Sequence, residues 1–199
     1  MKHNNCFIYP KTVREAIDGQ RHYDTGKEKL PSVTTILSAT QDPEKAQSLK
    51  AWRTRVGEAS ATRIVDEAAA RGTAMHKILE RYVGEEGYLD LTKVGLNAHN
   101  MAIRVIEQAI IDFKQTNKPK RDEWIGDYKL QLAAYAMAHN YTHKTKIKKG
   151  VIMMCSKDNY YQEFVIEGKE FKNYQHKWLG KVNEYYEQRT NNERKTETV

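Results

Sequence analysis

The hexamer Ala109–Lys114, with the sequence Ala-Ile-Ile-Asp-Phe-Lys, constrains the fold of this chain more than any other stretch. Its β-branched and aromatic residues favour a half-buried strand. Alternate side chains of a strand point to opposite faces, so Asp112 and Lys114 would project together. Ile111 and Phe113 would then point the other way, into a core. A strand at this position predicts an acid and an amine side by side.

A continued helix is the alternative for the same residues. Apolar residues recur at helical spacing from Ala102 onward, and neither Gly nor Pro occurs between Gly95 and Pro119. A helix that begins near Asn97 could therefore run straight through the hexamer. Periodicity leaves strand and helix both open.

An acid and an amine two residues apart on one strand suit metal-assisted phosphodiester hydrolysis. The carboxylate of Asp112 would hold a divalent cation, and Lys114 would steady the attacking water or the charge on the phosphate. Most such triplets in a Lys-rich chain are surface ion pairs. The triplet alone is a weak signal and needs companions elsewhere in the chain.

An excess of positive charge indicates polyanionic partners. The chain carries 33 Lys and Arg against 26 Asp and Glu, which gives a net charge of +7. Clustered Lys and Arg displace condensed counterions from nucleic acid, so nucleic acid is the first candidate. Ordinary surface solubility explains the same charge equally well.

Cysteine content and hydropathy exclude several classes of protein. Two cysteines, Cys6 and Cys155, cannot supply four thiolates to an iron-sulfur cluster or a zinc site, and no disulfide framework is indicated. The apolar runs are too short to span a bilayer, and Met1–Pro10 lacks the hydrophobic region of a secretory signal. We expect a soluble cytoplasmic protein with no membrane partner.

The sequence suggests a leader, one domain and a tail. Residues 1–29 are polar with several turn signals, so we expect a loosely ordered leader with at most one short helix near Val13–Ile17. Residues 30–190 are expected to form a single domain, because a chain of this length is most economically one core. Residues 191–199 are polar and expected to fray.

Asp42-Pro43-Glu44 predicts the start of a helix, with Asp as N-cap, Pro in the first turn and Glu near the positive end. Gly57 is the expected stop. Lys50 and Arg53 on this helix could touch phosphate, although a solvated basic face is the more common explanation. The preceding segment Ser32–Leu37 is either a short helix or a strand.

Two further helices are predicted, Glu58–Arg71 and Ala74–Val83, with Gly72 closing the first. His76 and Glu80 lie four residues apart on the second helix, beside its core stripe. His76 could be a metal ligand and Glu80 a second ligand or an orienting partner. A surface His–Glu pair is the alternative, and it is preferable without other evidence.

A long helix is predicted over Arg121–Asn140. Gln131 and Tyr135 belong to its aromatic and polar stripe, and a glutamine within such a stripe suggests a face shared between core and cleft. The elements expected after this helix are an antiparallel pair, Gly150–Cys155 and Tyr160–Ile166, and a closing helix, Gly168–Gln188.

Several weak motifs follow one another in a specific order. They are Pro31–Leu37, Trp52, Arg71-Gly72-Thr73-Ala74-Met75-His76 with Glu80, Asp112-Phe113-Lys114, and Tyr128 with Gln131-Leu132-Ala133-Ala134-Tyr135. Together they resemble the RecB-like branch of the PD-(D/E)xK nucleases. Within that branch they look closest to phage exonucleases related to the mitochondrial genome maintenance exonuclease. The resemblance covers most of the chain from Leu30 onward.

That resemblance implies an α/β fold with a restriction-endonuclease-like core, in which helices flank a small mixed β-sheet. It also implies hydrolysis of DNA that depends on Mg²⁺ or Mn²⁺, exonucleolytic and acting on single strands. Carried over residue by residue, the catalytic residues would be Asp112, Lys114, Gln131 and Tyr135, the metal ligands His76 and Asp112, and the residues near the phosphates Arg71 and Thr73. Glu80 as a further metal ligand, and Lys50 and Arg53 as further nucleic-acid contacts, are expected from their helix positions alone.

One part of the family pattern is missing. The family places a second metal-binding Asp, usually in a Gly-x-x-Asp setting, on a hairpin before the D-x-K strand, whereas here Asn97–Gln108 runs directly into Ala109. We infer that the chain has lost an internal segment near Gln108, which would reduce the sheet and weaken cation binding. An impaired nuclease, an inactive relative that binds DNA, and a basic protein-interaction domain therefore all remain open.

Overall fold

The computed structural model describes residues 11–83, 109–158 and 160–196. Within these ranges the protein is an α/β fold with two three-stranded sheets flanked by helices, as expected for a small restriction-endonuclease-like core. The strands are β1 (Val13–Ile17), β2 (Gln20–Asp24), β3 (Lys29–Pro31), β4 (Ala109–Thr116), β5 (Lys149–Ser156) and β6 (Tyr161–Glu167). The α-helices are α1 (Val33–Ala39), α2 (Pro43–Val56), α3 (Glu58–Val83), α4 (Gly126–His143) and α5 (Gly168–Thr196).

The first sheet is antiparallel and has the order β1-β2-β3. Asp18 and Gly19 connect β1 to β2 with positive φ angles of 51° and 73°, the backbone twist that a two-residue hairpin favours. The predicted helix at Val13–Ile17 is therefore wrong, because the turn signal at Asp18-Gly19 closes a hairpin. The boundary between leader and domain at residue 30 stays a prediction.

The second sheet is mixed, with β4 parallel to β5 and β5 antiparallel to β6. This settles the hexamer as a strand, because its backbone pairs with β5 over the full length of β4. The β4 residue that packs against the main core cluster is Ile110, which shares a face with Asp112 and Lys114. Ile111 and Phe113 lie on the opposite face, as the alternation predicted, but they are only half-buried there and do not belong to this cluster.

The early helices follow their capping signals, with one exception. Ser32 caps α1 by accepting from the backbone N–H of Thr35, which decides the undecided segment in favour of a helix. Asp42 caps α2 as predicted, and its side chain accepts from the backbone N–H of Glu44. The predicted break at Gly72 is wrong, because α3 is a single helix of 26 residues.

The later helices are confirmed, with shifted ends. A short 3-10 turn at Asp122–Trp124 precedes α4, so that helix begins at Gly126 instead of Arg121. The closing helix α5 continues past Gln188 to Thr196, where the sequence predicted a frayed tail. The predicted antiparallel pair is confirmed as β5 and β6.

Two clusters of buried residues form the core. The first joins α4 and α5 to the second sheet, and it contains Ile125, Leu132, Ala136, Ile152, Met154, Ile166 and Phe171. The second joins α1, α4 and α5, and it contains Ile36, Leu130, Ala134, Trp178 and Tyr185. Helix α4 contributes to both clusters and so fixes the second sheet relative to the other helices.

A buried lysine ties the start of α4 to its neighbours. Lys129 is only 2% exposed, and its Nζ lies 2.6 Å from Asp122 Oδ2 and 2.8 Å from Glu170 Oε1. The ammonium thus joins the 3-10 turn, α4 and α5. The two carboxylates together offset the cost of desolvating the buried ammonium.

The helix predicted over Asn97–Gln108 and the loss of a hairpin near Gln108 lie outside the described residues. The second sheet has three strands in the described part of the chain.

Helix α4 packs closely against β5 at Gly150. A Cβ atom at this position would lie 2.9 Å from Leu132 Cδ1 and 3.2 Å from Ile166 Cγ1. We therefore expect Gly150→Ala to destabilise the protein by about 1–3 kcal/mol, because the added methyl forces the core apart. Chemical denaturation followed by circular dichroism measures the effect.

Gly180→Ala is the matched control for this substitution. Gly180 lies inside α5, and a Cβ there would meet nothing within 4 Å. We expect this change to stabilise the protein by about 0.5–1 kcal/mol, because alanine lowers the entropy of the unfolded chain. Equal effects from the two substitutions would contradict the close approach at Gly150.

Candidate active site

Asp112 and Lys114 meet on one face of β4, as the alternation of the strand predicted. Lys114 Nζ donates to Asp112 Oδ1 at 3.0 Å and lies 2.7 Å from Oδ2. The two side chains are only 11% and 17% exposed, respectively. This burial separates the pair from an ordinary surface ion pair, which is solvated on most sides.

The surroundings of Asp112 disfavour its charged form. Its neighbour across the sheet is Ile152, which is fully buried, and Met154 lies beside Lys114 in the same way. Burial raises the pKa of Asp112 above its ordinary value, although Lys114 and, more weakly, His76 act in the opposite direction. A second cation beside Asp112, in addition to Lys114, would stabilise the charged carboxylate against this burial.

One oxygen of the carboxyl has unused hydrogen-bonding capacity. Oδ2 of Asp112 is buried and accepts no hydrogen bond from the described residues, so its ion-pair contact with Lys114 Nζ at 2.7 Å is the interaction that the described residues give it. Buried polar atoms in this state are uncommon in folded proteins. They are the atoms at which an unaccounted ligand or ion is expected.

Helix α4 places two more of the predicted site residues on this pair. Lys114 Nζ donates to Gln131 Oε1 at 2.8 Å, and Gln131 Nε2 donates to Tyr135 Oη at 2.6 Å. Gln131 is buried, whereas Tyr135 is 39% exposed. Four side chains therefore form one hydrogen-bonded line from the interior at Asp112 to the surface at Tyr135.

Tyr128 belongs to the same site, although its place in the sequence predicted no role for it in the chemistry. Its ring lies 5.0 Å from Lys114 Nζ, so the ammonium contacts an aromatic face as well as two oxygen acceptors. Burial, followed by the charges of Asp112 and Asp127, raises the pKa of Tyr128. The sequence feature that could have indicated Tyr128 is its position three residues before Gln131, on the same helical stripe.

His76 reaches the site from α3 and contacts the backbone of β4. Its Nε2 lies 2.7 Å from the carbonyl oxygen of Phe113, the residue between Asp112 and Lys114. The imidazole and this carbonyl therefore lie beside the carboxylate. No side-chain pattern could have indicated the carbonyl, because every residue has one.

Glu80 is not brought into this arrangement. It is exposed on α3, and within the described part of the chain no hydrogen bond or ion pair joins it to His76 or Asp112. Its proposed part in metal binding therefore receives no geometric support.

The predicted nucleic-acid contacts lie in different places. Arg71 is near the site, because its Nη2 donates to Asn117 Oδ1 at 2.6 Å just beyond the end of β4. Thr73 is exposed on the same helix. Lys50 is exposed on α2, where Arg53 forms an ion pair with Glu58. Their roles in binding stay predictions.

The described residues fit a divalent cation in part. Oδ2 of Asp112 and the carbonyl of Phe113 are oxygen donors of the kind that Mg²⁺ and Mn²⁺ prefer. The imidazole of His76 is a nitrogen donor, less suited to Mg²⁺, and its Nε2 contacts that carbonyl. No group of three or more His, Cys, Asp or Glu side chains that could hold a metal ion occurs in residues 11–83, 109–158 and 160–196. A site here would depend on one carboxylate and on backbone or water oxygens.

Comparison with known proteins supports a relationship with a nuclease. The chain is similar to mitochondrial genome maintenance exonuclease 1 of Mus musculus, with 29% identity over 210 aligned positions. The match covers 83% of this chain and 61% of that protein, so the chain spans about three fifths of the relative's length. No protein-family model matches the chain.

The length of this alignment bears on the missing hairpin. Because 210 aligned positions exceed the 199 residues of the whole chain, the relative has positions without a counterpart here. That is compatible with the loss of an internal segment. The location of the loss near Gln108 stays a prediction.

No helix in the described part of the chain is long and apolar enough to cross a membrane.

The raised pKa of Asp112 predicts a pH-dependent stability. Because its pKa is higher in the folded than in the unfolded state, the folded protein binds more protons above about pH 4, and stability falls as the pH rises through the folded pKa. Asp112→Asn removes this penalty. We expect the melting temperature of the variant, relative to wild type, to increase between about pH 4 and pH 7.

Thermal unfolding across that pH range measures the difference, with Asp66→Asn as the matched substitution of an exposed carboxyl on α3. If wild type instead gained stability relative to Asp112→Asn as the pH rose, the attraction of Lys114 would outweigh the burial of Asp112.

Proposed function

We propose that this protein is a metal-dependent DNA exonuclease of the PD-(D/E)xK superfamily, in the branch that includes phage exonucleases. The observation that carries the proposal is the buried Asp112–Lys114 pair on β4, with one carboxylate oxygen lacking a hydrogen bond. A pair with no chemical task gains little from such burial, because desolvation costs about as much as the attraction returns. The similarity to a genome maintenance exonuclease supports the same reaction.

Each residue of the site has a separate task in this proposal. Lys114 carries positive charge to the place where negative charge develops on the scissile phosphate. Gln131 positions the ammonium by accepting a hydrogen bond from it through Oε1. Tyr135, at the exposed end of the line, presents a hydroxyl to the DNA backbone. Burial raises the pKa of Tyr135, so its hydroxyl stays protonated.

Asp112 would hold the divalent cation, with His76 and the carbonyl of Phe113 as further ligands. When bound, Mg²⁺ or Mn²⁺ would polarise the phosphate and lower the pKa of a coordinated water. Its charge would also favour ionisation of Asp112, whose burial now opposes that ionisation. The carboxylate is thus better suited to the cation-bound state than to an empty site.

An inactive relative that binds DNA is the second candidate. It is favoured by the lack of a three-residue ligand cluster in the described ranges. A Mg²⁺ site with a single carboxylate is weak, since this cation keeps its waters unless charged oxygens replace them. The net charge of +7 supports DNA binding in either case.

Cleavage of a labelled single-stranded oligonucleotide in Mg²⁺ or Mn²⁺ tests the reaction. We expect Asp112→Asn and Lys114→Ala each to lower the rate by about 10²–10³-fold. The first removes the carboxylate that would hold the cation, and the second removes the positive charge aimed at the reacting phosphate. Lys129→Met is the matched control, since it removes a buried, paired lysine that is hydrogen-bonded to Asp122 and Glu170 instead of the site. It should leave the rate of the folded protein unchanged.

The wild type decides between the two candidates. Metal-dependent cleavage by wild type supports the exonuclease, whereas its absence together with retained DNA binding supports the inactive relative. Cleavage that persists in both Asp112→Asn and Lys114→Ala would show that the reaction occurs at another site.

Cation binding can be measured without any cleavage. We expect Mn²⁺ to raise the melting temperature of wild type, because a ligand that binds only the folded state stabilises it. Asp112→Asn should abolish this shift, and His76→Ala should reduce it. Glu80→Gln, which alters an exposed carboxyl on the same helix as His76, should leave the shift unchanged. An undiminished shift in Asp112→Asn would contradict the proposed ligand set.

A further inference from the structure

The first sheet has one packed face and one open face. Antiparallel register places opposite residues on the same side, so Arg14 shares a face with Tyr23, and Ala16 shares that face with Arg21. Leu30, opposite Tyr23 on β3, belongs to the same face. We call these residues, Arg14, Ala16, Arg21, Tyr23 and Leu30, the open face; the first three are exposed, and Tyr23 and Leu30 are half-buried.

The other face of this sheet is occupied. His22 is only 3% exposed there, and it lines a cavity together with Ile17 and with Tyr185 of α5. Lys29 lies on the same side and forms an ion pair with Glu15 at 2.6 Å. The open face therefore points away from α5, with Arg14 and Arg21 exposed.

Helix α1 holds this sheet beside the candidate active site. The carbonyl oxygen of Arg21 accepts from the backbone N–H of Ser32 at 3.0 Å and from Thr35 Oγ1 at 2.8 Å. Ile36, one turn into α1, packs in the core cluster that contains Ala134 of α4. Tyr135 follows directly on α4, so the backbone of β2 is anchored next to the exposed end of the site.

The electrostatic contacts of Tyr135 agree with this placement. Tyr23 and Arg21 both act on its pKa, in opposite directions and after the larger effect of burial. In the described part of the chain, no acidic residue forms an ion pair with Arg14 or Arg21. Their charge is therefore available to a phosphate.

Arginine and tyrosine on one rigid strand match the chemistry of a single nucleic-acid strand. Guanidinium groups bind phosphate, and an aromatic ring stacks on an unpaired base regardless of its identity. In a duplex the base faces are stacked inside, so a stacking ring selects single strands. Because Arg21 and Tyr23 are two residues apart on β2, the strand also holds both side chains on the same side of the sheet.

We propose that the open face binds the single-stranded DNA that enters the candidate active site, with Arg14 and Arg21 on phosphates and Tyr23 stacked on a base. This rests on the proposed function, and it assigns a DNA-binding surface to the β1–β3 sheet.

Fluorescence anisotropy with a labelled single-stranded oligonucleotide in EDTA tests the surface in the absence of cleavage. We expect Arg21→Ala and Tyr23→Ala each to weaken binding by about tenfold, since one stacked base is worth about 1–3 kcal/mol. Arg21→Ala should also lower the slope of log affinity against log salt by about 1. Tyr23→Phe should bind like wild type, because phenylalanine retains the stacking face.

Lys29→Gln is the matched control. It removes a positive charge from the same sheet but from the packed face, and its ion pair with Glu15 is exposed. Binding should not change. Melting temperatures check the fold of each variant, and Arg14→Ala, an exposed change, gives an independent test of the same face with an expected loss of a few-fold.

The outcomes separate this inference from the proposed function. Wild-type affinity in Arg14→Ala, Arg21→Ala and Tyr23→Ala would overturn the inference even if the protein cleaves DNA. Equal losses for duplex and single-stranded DNA would overturn the assignment to single strands. A wild type that binds single strands through these residues but never cuts them would retain the inference and reject the exonuclease.

Discussion

The close packing of α4 against β5 at Gly150 is the constraint on which the rest of the structure depends. Leu132 fits against this glycine, and the neighbouring Gln131 then lies at the depth from which it reaches Lys114. Residues of α4 also enter both core clusters, so its position is fixed from two sides. A side chain at position 150 would move the helix that completes the site.

Local signals in the sequence predicted much of the fold, and they failed where tertiary pairing decides. The cap at Asp42 and the β5–β6 pair were readable because each depends on residues close in sequence. Periodicity could not settle Ala109–Lys114, since a short apolar run fits both a helical repeat and a half-buried strand. The pairing that decides for the strand is with β5, some 40 residues away. Gly72 does not end α3, because an interior glycine lowers the stability of a helix only modestly.

The candidate site was predictable in its side chains and not in its surroundings. The D-x-K spacing and the helical stripe placed Asp112, Lys114, Gln131 and Tyr135 on two facing surfaces, and the structure joins them by hydrogen bonds. The carbonyl of Phe113 has no sequence signature. The β1–β3 sheet was also missed, because its charged and polar strands lack the apolar alternation that reveals a buried one.

The bond between Lys114 and Gln131 gives the line of polar groups a direction. An ammonium group can only donate, so the amide must present Oε1 to Lys114 and Nε2 to Tyr135. The phenol oxygen then accepts from the amide and keeps its own proton for a partner outside the cluster. The buried ammonium of Lys114 thereby orients the O–H group of Tyr135 at the surface as a hydrogen-bond donor. An anionic oxygen can accept this hydrogen bond, and a cation cannot.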